Sequence, residues 1–188
     1  MKVSREQNAL NRDRILDSAS QLFREKGFDG IGINDLMQAA GLTRGAFYGH
    51  FQSKDDLIGQ ACKQGLANNA AYWRSTLDTS PDGALAALAS FYLSDRHQHA
   101  SAKGCVLAAL APDAARQGPE VRSEFTQGVE AFLGILEELL DGDRQRAMAT
   151  LATLVGGLVL SRAVDDPALA QGLRHAAQHA VNQQGAKA

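Results

Sequence analysis

Residues 41–57, GLTRGAFYGHFQSKDDL, decide the fold of the first part of the chain. Gly41 lacks a side chain and can adopt the left-handed backbone conformation that ends a helix. Thr43, two residues later, is of a type that caps the next helix, which we expect to run to His50. The segment therefore predicts a tight turn followed by a short helix.

The flanking sequence extends this pattern in both directions. Upstream, apolar residues at helical spacing end at Gly27, and a second short helix is expected from Ile33 to Ala40. Downstream, Ser53 and Asp56 form a capping box, which predicts a long fourth helix that reaches Leu77. Three helices joined by short turns are typical of a helix-turn-helix unit, whose second helix enters the DNA major groove.

Composition predicts an all-α protein. The 188 residues include 32 alanines against 19 valines, isoleucines and threonines together, a balance that favours helix over sheet. We expect a helix-turn-helix domain over residues 1–52, a larger helical domain over residues 53–182 and a flexible tail over residues 183–188. Helices of the larger domain are expected to begin near Pro81, Ser101, Pro119, Arg144 and Pro167.

Several classes of protein are disfavoured by the sequence. A net charge of −2 argues against a protein that coats nucleic acid through bulk charge. The chain has neither a long apolar run nor an apolar N-terminus, so we expect a cytoplasmic protein.

Cys62 and Cys105 lack the paired spacing of a metal site and are expected to be reduced thiols. No nucleophile or nucleotide motif is present, and we expect neither an enzyme nor a cofactor. His175 and His179 are one helical turn apart, but nothing else supports a metal site, and we expect none.

The segment 41–57, together with LFREKGFDG at residues 22–30, resembles the TetR family of bacterial transcriptional regulators. The resemblance covers the first third of the chain, and beyond it extends only to the helical layout and to KGCVLAALAPDAAR at residues 103–116. It implies a homodimer, most often a repressor, that leaves a palindromic DNA operator when a small-molecule or thiol-reactive effector binds. A different class also fits: an all-helical small-molecule-binding or catalytic protein that retains a vestigial helix-turn-helix.

The chemistry of the third helix agrees with DNA binding. A threonine hydroxyl at a helix start can contact a phosphate, an arginine can read guanine N7 and O6, and glycines allow close backbone approach. The same residues can equally form a simple cap, a solvated charge and a half-buried aromatic stripe. Phe47 and Phe51 are expected in the core. The resemblance implies phosphate contacts from Tyr48, His50 and Lys54, and Arg5 and Arg12 are candidates for contacts with flanking DNA. The DNA-binding candidates are Thr43, Arg44, Gly45, Tyr48, His50, Lys54, Arg5 and Arg12.

The resemblance assigns dimerisation and effector binding to the larger domain. An apolar helix from Arg144 to Val164, paired with one from Pro119 to Leu140, offers a dimer surface with small residues; an ordinary helical hairpin of the core fits as well. The expected interface residues are Leu151, Leu154, Val155, Gly157 and Leu158. The expected effector site, suited to an apolar or aromatic ligand, consists of Leu66, Trp73, Phe91, Tyr92, Cys105, Leu110, Phe125, Val129 and Phe132.

The two cysteines receive different expectations. If Ser101 caps its helix, Cys105 lies in the first turn near Lys103, where the helix dipole and the ammonium group would lower the pKa of its thiol. Such a thiol could sense electrophiles, as in some family members, although a small buried hydrophobic role is the alternative. Cys62 shares a helix face with apolar residues and is expected in the core. His97 and His99 are expected to be exposed.

Overall fold

The computed structural model describes residues 5–78 and 83–185. Within these ranges the regular secondary structure is entirely helical, which confirms the all-α prediction. The helices are α1 (Arg5–Lys26), α2 (Ile33–Ala39), α3 (Arg44–Phe47), α4 (Lys54–Asp78), α5 (Ala84–Tyr92), α6 (Asp95–His99), α7 (Val106–Ala114), α8 (Pro119–Leu139), α9 (Arg144–Ala163) and α10 (Pro167–Gly185).

Helices α1 to α3 form the helix-turn-helix unit. Gly27 ends α1 with a φ of +73° and donates its N–H to the Phe23 carbonyl at 2.8 Å. Gly41 lies in the turn between α2 and α3 with a φ of +69°, and a Cβ there would come within 2.7 Å of the Arg14 guanidinium. The turn therefore favours glycine for its backbone conformation, whereas the close contact is with the end of a flexible, exposed arginine side chain. The predicted core positions Phe47 and Phe51 are both buried.

Helix α4 links the helix-turn-helix unit to the rest of the protein. Its start has the predicted capping box, because the Ser53 hydroxyl accepts the Asp56 N–H at 3.0 Å and the Asp56 carboxylate accepts the Gln52 N–H at 2.9 Å. Helix α4 packs against α1, α8 and α5. At the α4–α8 contact, the absence of a side chain at Gly128 makes room for Leu66.

Helices α9 and α10 form an antiparallel hairpin that closes the larger domain. A Cβ added at Gly157 of α9 would lie 2.6 Å from the Cβ of Ala177 on α10, so the two helices touch at this glycine. Helix α9 also contacts α8, but its most extensive partner is α10. The expectation that the α8 region is the partner of α9 is therefore incomplete. None of the described helices combines the length and apolar character needed to span a bilayer.

Several helix boundaries differ from the sequence expectations. Helix α3 ends at Phe47 instead of His50, and the helix expected from Ser101 begins at Val106 after a turn. Residues 183–185, expected in the flexible tail, are the last residues of α10, whereas residues 186–188 lie outside the described part. The expected helix start at Pro81 also lies outside it. Helix α6, with its N-cap hydrogen bond from the His97 N–H to the Ser94 hydroxyl, was not predicted.

Candidate DNA-binding surface and ligand cavity

The outer face of α3 is an exposed surface of polar and small residues. Thr43, Arg44 and Gly45 are exposed at its start, and Tyr48, directly after it, is 65% exposed although its ring edge contacts Phe47. Thr43 makes no side-chain capping bond. Its hydroxyl and the Tyr48 phenol therefore face solvent as free hydrogen-bonding groups, while Phe47 anchors the helix in the core.

Three of the candidate cations remain available to an external anion. Arg5 and Arg44 are exposed, and Lys54 is half-buried at the start of α4. Across residues 5–78 and 83–185, none of the ion pairs includes any of the three. Arg44, the first residue of α3, and Lys54, seven residues after its end, therefore lack an internal counter-charge, as contacts with base edges or phosphate require.

Arg12 is instead engaged within the protein. One Nη donates to the His50 carbonyl at 2.7 Å, the other donates to the Gln60 side chain, and the guanidinium lies 4.7 Å from the centre of the Phe51 ring. These contacts tie α1 to the end of the helix-turn-helix and to α4. Arg12, predicted as a DNA contact, is placed by the structure as a residue that positions the reading helix.

His50 lies half-buried beside Arg12. Burial lowers the pKa of His50 below its ordinary value, and the neighbouring Arg12 charge lowers the pKa further. The imidazole is therefore neutral near pH 7, and it can offer an N–H to a phosphate without a full positive charge.

The larger domain contains a cavity of about 390 Å³ between α4, α5 and the segment 96–105. Four of the predicted effector residues, Trp73, Phe91, Tyr92 and Cys105, line this cavity. The sequence reasoning missed the polar part of the wall. The additional lining residues are Asn68, Asn69, Tyr72, Arg96, His97, Ala100, Lys103 and Gly104.

The other predicted effector residues lie elsewhere. Leu66, Leu110 and Phe132 are buried in the core, where Phe132 contacts the Trp73 ring edge-to-face at 4.6 Å. Phe125 and Val129 line a separate shallow groove along α8. Apolar character identified these five residues, but it does not distinguish a cavity wall from a packed interior.

Asn69 was missed although its position carried a signal. It lies four residues before Trp73 on α4, and its side-chain oxygen accepts the Val106 N–H at 2.9 Å. An amide on the same face as a cavity tryptophan indicates a polar contact on an otherwise apolar side. Asn69 therefore caps the start of α7 from another helix.

His97 is buried, so the expectation that it is exposed is wrong. Its Nδ1 lies 2.6 Å from the Tyr92 carbonyl oxygen, and its Nε2 accepts the Cys105 N–H at 3.2 Å. These partners require the proton on Nδ1. Burial lowers the pKa of His97, and the ring is therefore neutral near pH 7 and holds the 97–105 segment in place. His99 is exposed, as expected.

Cys105 differs from the expectation in its pKa. It is buried at the N-cap of α7, and burial raises the pKa of its thiol above the ordinary value, although the Tyr92 hydroxyl and the amides of α7 act in the opposite direction. The expected lowering was wrong because the effect of desolvation outweighs the combined effect of the Tyr92 hydroxyl and the α7 amides. Cys62 is confirmed as a core residue, and burial raises its pKa to about 12.

Most of the expected dimer residues lie in the interior of the single chain. Leu151, Leu154 and Leu158 are buried within the single chain, and Gly157 faces α10. Val155 is only partly buried. The assignment of these buried residues to a dimer surface was wrong because α9 is apolar on more than one side. Its opposite side carries small and apolar residues, of which Gly156 is partly buried and the others are exposed, namely Ala149, Ala152, Leu160 and Ala163.

The fold and the exposed face of α3 define a helix-turn-helix DNA-binding protein. Residues 15–61 match the family model described as bacterial regulatory proteins, tetR family. The helix-turn-helix part of the chain therefore matches this TetR family, and the chain is a TetR-like DNA-binding transcriptional regulator, as its sequence resemblance implied.

Similar proteins span most of the chain. The HTH-type transcriptional repressor NemR of Escherichia coli is 25% identical over 145 residues, which are 74% of this chain and 71% of that protein. An uncharacterised HTH-type transcriptional regulator in the lacX 3' region of Lactococcus lactis is 27% identical over 170 residues, which are 82% of this chain and 85% of that protein.

Solved structures share the whole fold. The crystal structure of reduced E. coli NemR superimposes with a TM-score of 0.78 at 20% identity, covering 92% of this chain and 96% of that chain. The crystal structure of a TetR transcriptional regulator from Chloroflexus aurantiacus superimposes with a TM-score of 0.79 at 19% identity. The match covers 95% of this chain and 98% of that chain. These likenesses extend the common fold beyond α4 into the larger domain.

Proposed function

We propose that the protein is a homodimeric repressor that binds a palindromic operator and releases it when a small molecule occupies the cavity lined by Trp73 and Tyr92. The observation that carries the proposal is the exposed, unpaired polar face of α3, on a helix-turn-helix joined through α4 to a cavity-bearing domain. A bacterial regulator meets its operator in the cytoplasm, where we place this protein.

Dimerisation is assigned to the exposed side of the α9–α10 hairpin. Leu160 on α9 is 53% exposed and Leu169 on α10 is 50% exposed. Both helices also carry glycines with open space beside them. A Cβ added at Gly156 of α9 or at Gly172 of α10 would meet nothing within 4 Å in the single chain. Small and apolar residues on a helix pair allow close packing with a second copy, which would pair two reading helices for two half-sites.

Helix α4 supplies the route from the cavity to the DNA. It begins with Lys54, seven residues after the end of the reading helix, and carries Asn69, Tyr72 and Trp73 in the cavity wall. Its 25 residues extend about 37 Å at 1.5 Å per residue. A ligand that binds better when α4 is displaced must weaken DNA binding by the same factor, because the coupling is reciprocal.

A non-covalent ligand is favoured over a thiol-reactive effector. Cys105 lines the cavity, but it is buried and its raised pKa leaves little thiolate near pH 7. The aromatic walls, by contrast, offer contact area to a ligand without a chemical step. The effector is therefore placed in the cavity as a reversible ligand.

A gel-shift assay with DNA that flanks the protein's own gene tests the proposal, because many regulators control adjacent genes. We expect a discrete shifted band that resists competition by unrelated DNA. A Gly156→Leu variant should be monomeric by light scattering and should lose the band while its helical circular dichroism is retained. Its control, Gly134→Leu on α8, also adds a side chain into open space and should leave both properties unchanged. Failure to bind any flanking fragment, with intact helicity, would favour a small-molecule-binding protein with a vestigial helix-turn-helix.

A further inference from the structure

The charge of the cavity wall has one sign. Among its lining residues the charged side chains are Arg96 and Lys103, and none is a carboxylate. Both cations are exposed at the mouth. In the described part of the chain, neither belongs to an ion pair. The cavity is therefore positive in a protein whose net charge is −2.

Two further cations lie directly behind the segment that forms the mouth. Arg24 donates its Nε to the Ala102 carbonyl at 2.6 Å, and Arg162 donates to the carbonyls of His97 and Gln98 at 2.7 and 3.0 Å. Both guanidiniums are half-buried and bonded to neutral oxygens, and neither forms an ion pair within residues 5–78 and 83–185. Positive charge that is partly withdrawn from water and lacks a counter-charge attracts an anion.

The remaining walls are aromatic. The Tyr72 and Phe91 rings are 5.0 Å apart, Phe91 stacks on His97 at 5.7 Å, and Trp73 meets Tyr92 edge-to-face at 5.5 Å. Rings arranged in this way offer flat faces and edges to a planar ligand. The volume of about 390 Å³ is near the lower end of the usual range for ligand sites, about 300–1,000 Å³, and it suits one or two fused rings.

Tyr92 adds an unsatisfied polar group to the inner wall. The residue is fully buried, and its hydroxyl has no hydrogen-bond partner apart from the weak neighbouring thiol of Cys105. A buried hydroxyl without a good partner costs free energy. The oxygen is enclosed, so a carboxylate at the mouth would not reach it. The ligand class therefore rests on the charge at the mouth and on the aromatic walls.

We propose that the cavity binds a small aromatic carboxylate, with its ring against the Tyr72, Phe91 and Trp73 side chains and its carboxylate toward Arg96 and Lys103. The regulatory consequence of this assignment, release from DNA, rests on the proposed function, whereas binding itself does not. The assignment excludes neutral and cationic aromatics as preferred ligands, because they would leave the positive mouth without a counter-charge.

Fluorescence of Trp73 provides the test, since it is the single tryptophan of the chain and lines the cavity. The probes are benzoate, its neutral analogue benzamide, and cyclohexanecarboxylate, which keeps the charge but loses the flat ring. We expect benzoate to change the emission saturably, with a Kd about tenfold lower than that of benzamide, since charge-assisted hydrogen bonds are about twice as strong as neutral ones. Cyclohexanecarboxylate should also bind more weakly than benzoate.

A double variant, Arg96→Gln with Lys103→Gln, isolates the charge. Both side chains are exposed, so the fold should be retained and circular dichroism checks it. We expect benzoate affinity to fall about tenfold and benzamide affinity to stay unchanged, as for the loss of a charge-assisted pair. The control is Lys26→Gln, which removes one exposed lysine outside the cavity and should alter neither affinity.

The outcomes separate this proposal from the proposed function. Equal affinity for benzoate and benzamide, an unchanged benzoate affinity in the double variant, or the absence of saturable binding by any probe would overturn the ligand class. A parallel gel shift reports on DNA separately. If benzoate binds as expected but leaves the DNA complex intact, the ligand class stands and the proposed effector coupling fails. If the protein binds DNA while no probe binds to it, the ligand class fails and the DNA-binding part of the proposed function stands.

Discussion

A single methyl group at the α9–α10 contact provides a sharp test of the packing. In Gly157→Ala the new Cβ would lie 2.6 Å from the Ala177 Cβ and 3.4 Å from a Leu93 methyl, so the helices must separate. Overpacking of this kind costs about 1–3 kcal/mol. Replacement of a helical glycine by alanine returns about 1 kcal/mol of helix propensity. The free energy of unfolding should therefore fall by about 1 kcal/mol, within a range of about 0 to 2 kcal/mol.

The matched control is Gly134→Ala in α8, where a Cβ meets nothing within 4 Å. The Gly134→Ala variant gains helix propensity without any overpacking, so its free energy of unfolding should rise by about 0.5–1 kcal/mol. Urea unfolding followed by circular dichroism, at one protomer concentration, measures both variants. The difference between them should be about 1–3 kcal/mol, which is the overpacking cost alone. If Gly157→Ala is as stable as Gly134→Ala, Gly157 does not lie against α10.

Further predictions concern the DNA-reading helix, the thiols and the buried histidine. Arg44→Ala should weaken binding to the operator by about 1–3 kcal/mol and relax the preference at one base pair per half-site, whereas Lys54→Ala should weaken all sequences alike and reduce the salt dependence by about two ions per dimer. Titrations at several salt concentrations measure both, and identical profiles would contradict the assignment of base reading to Arg44. Cys62 and Cys105 should react with iodoacetamide far more slowly in the native protein than in urea, because burial raises the pKa of both thiols. Rapid modification of native Cys105, located by mass spectrometry, would contradict its burial. The lowered pKa of His97 means that the unfolded state binds its proton more readily, so the free energy of unfolding should fall as the pH drops from about 7 to about 5.5, less so in His97→Asn. Urea unfolding at the two pH values tests this, and an equal loss in both proteins would refute it.

The sequence predicts the helix-turn-helix well because its signals are local. Gly41 has the positive φ that its position in the turn implied, and the Ser53–Asp56 capping box forms as expected. Such features depend on residues within one turn of each other, so they can be recognised from a short stretch of sequence. The same locality explains why the buried anchors Phe47 and Phe51 could be assigned.

The cavity and the helix faces depend on contacts between distant residues. The start of α7 is capped by Asn69 from α4, so the alternative start at Ser101 could not be ruled out from nearby sequence. His97 can be buried because backbone groups of Tyr92 and Cys105 form hydrogen bonds with both of its ring nitrogens. The spacing of these residues in the sequence does not predict such contacts. Helix α9 is apolar around much of its circumference, and periodicity therefore cannot tell which side faces its own chain.

The role of the exposed face of α3 in reading DNA can be tested by selection of bound sequences from the fragmented genome of the source organism with the purified protein. We expect enrichment of an inverted repeat whose half-sites are centred about 10 base pairs, or a multiple of that, apart, as the proposed two-fold dimer requires. A Thr43→Ala, Arg44→Ala double variant, altered only at exposed positions, should enrich no such repeat while keeping its fold. Recovery of fragments without a shared repeat, or the same repeat with the double variant, would contradict the claim.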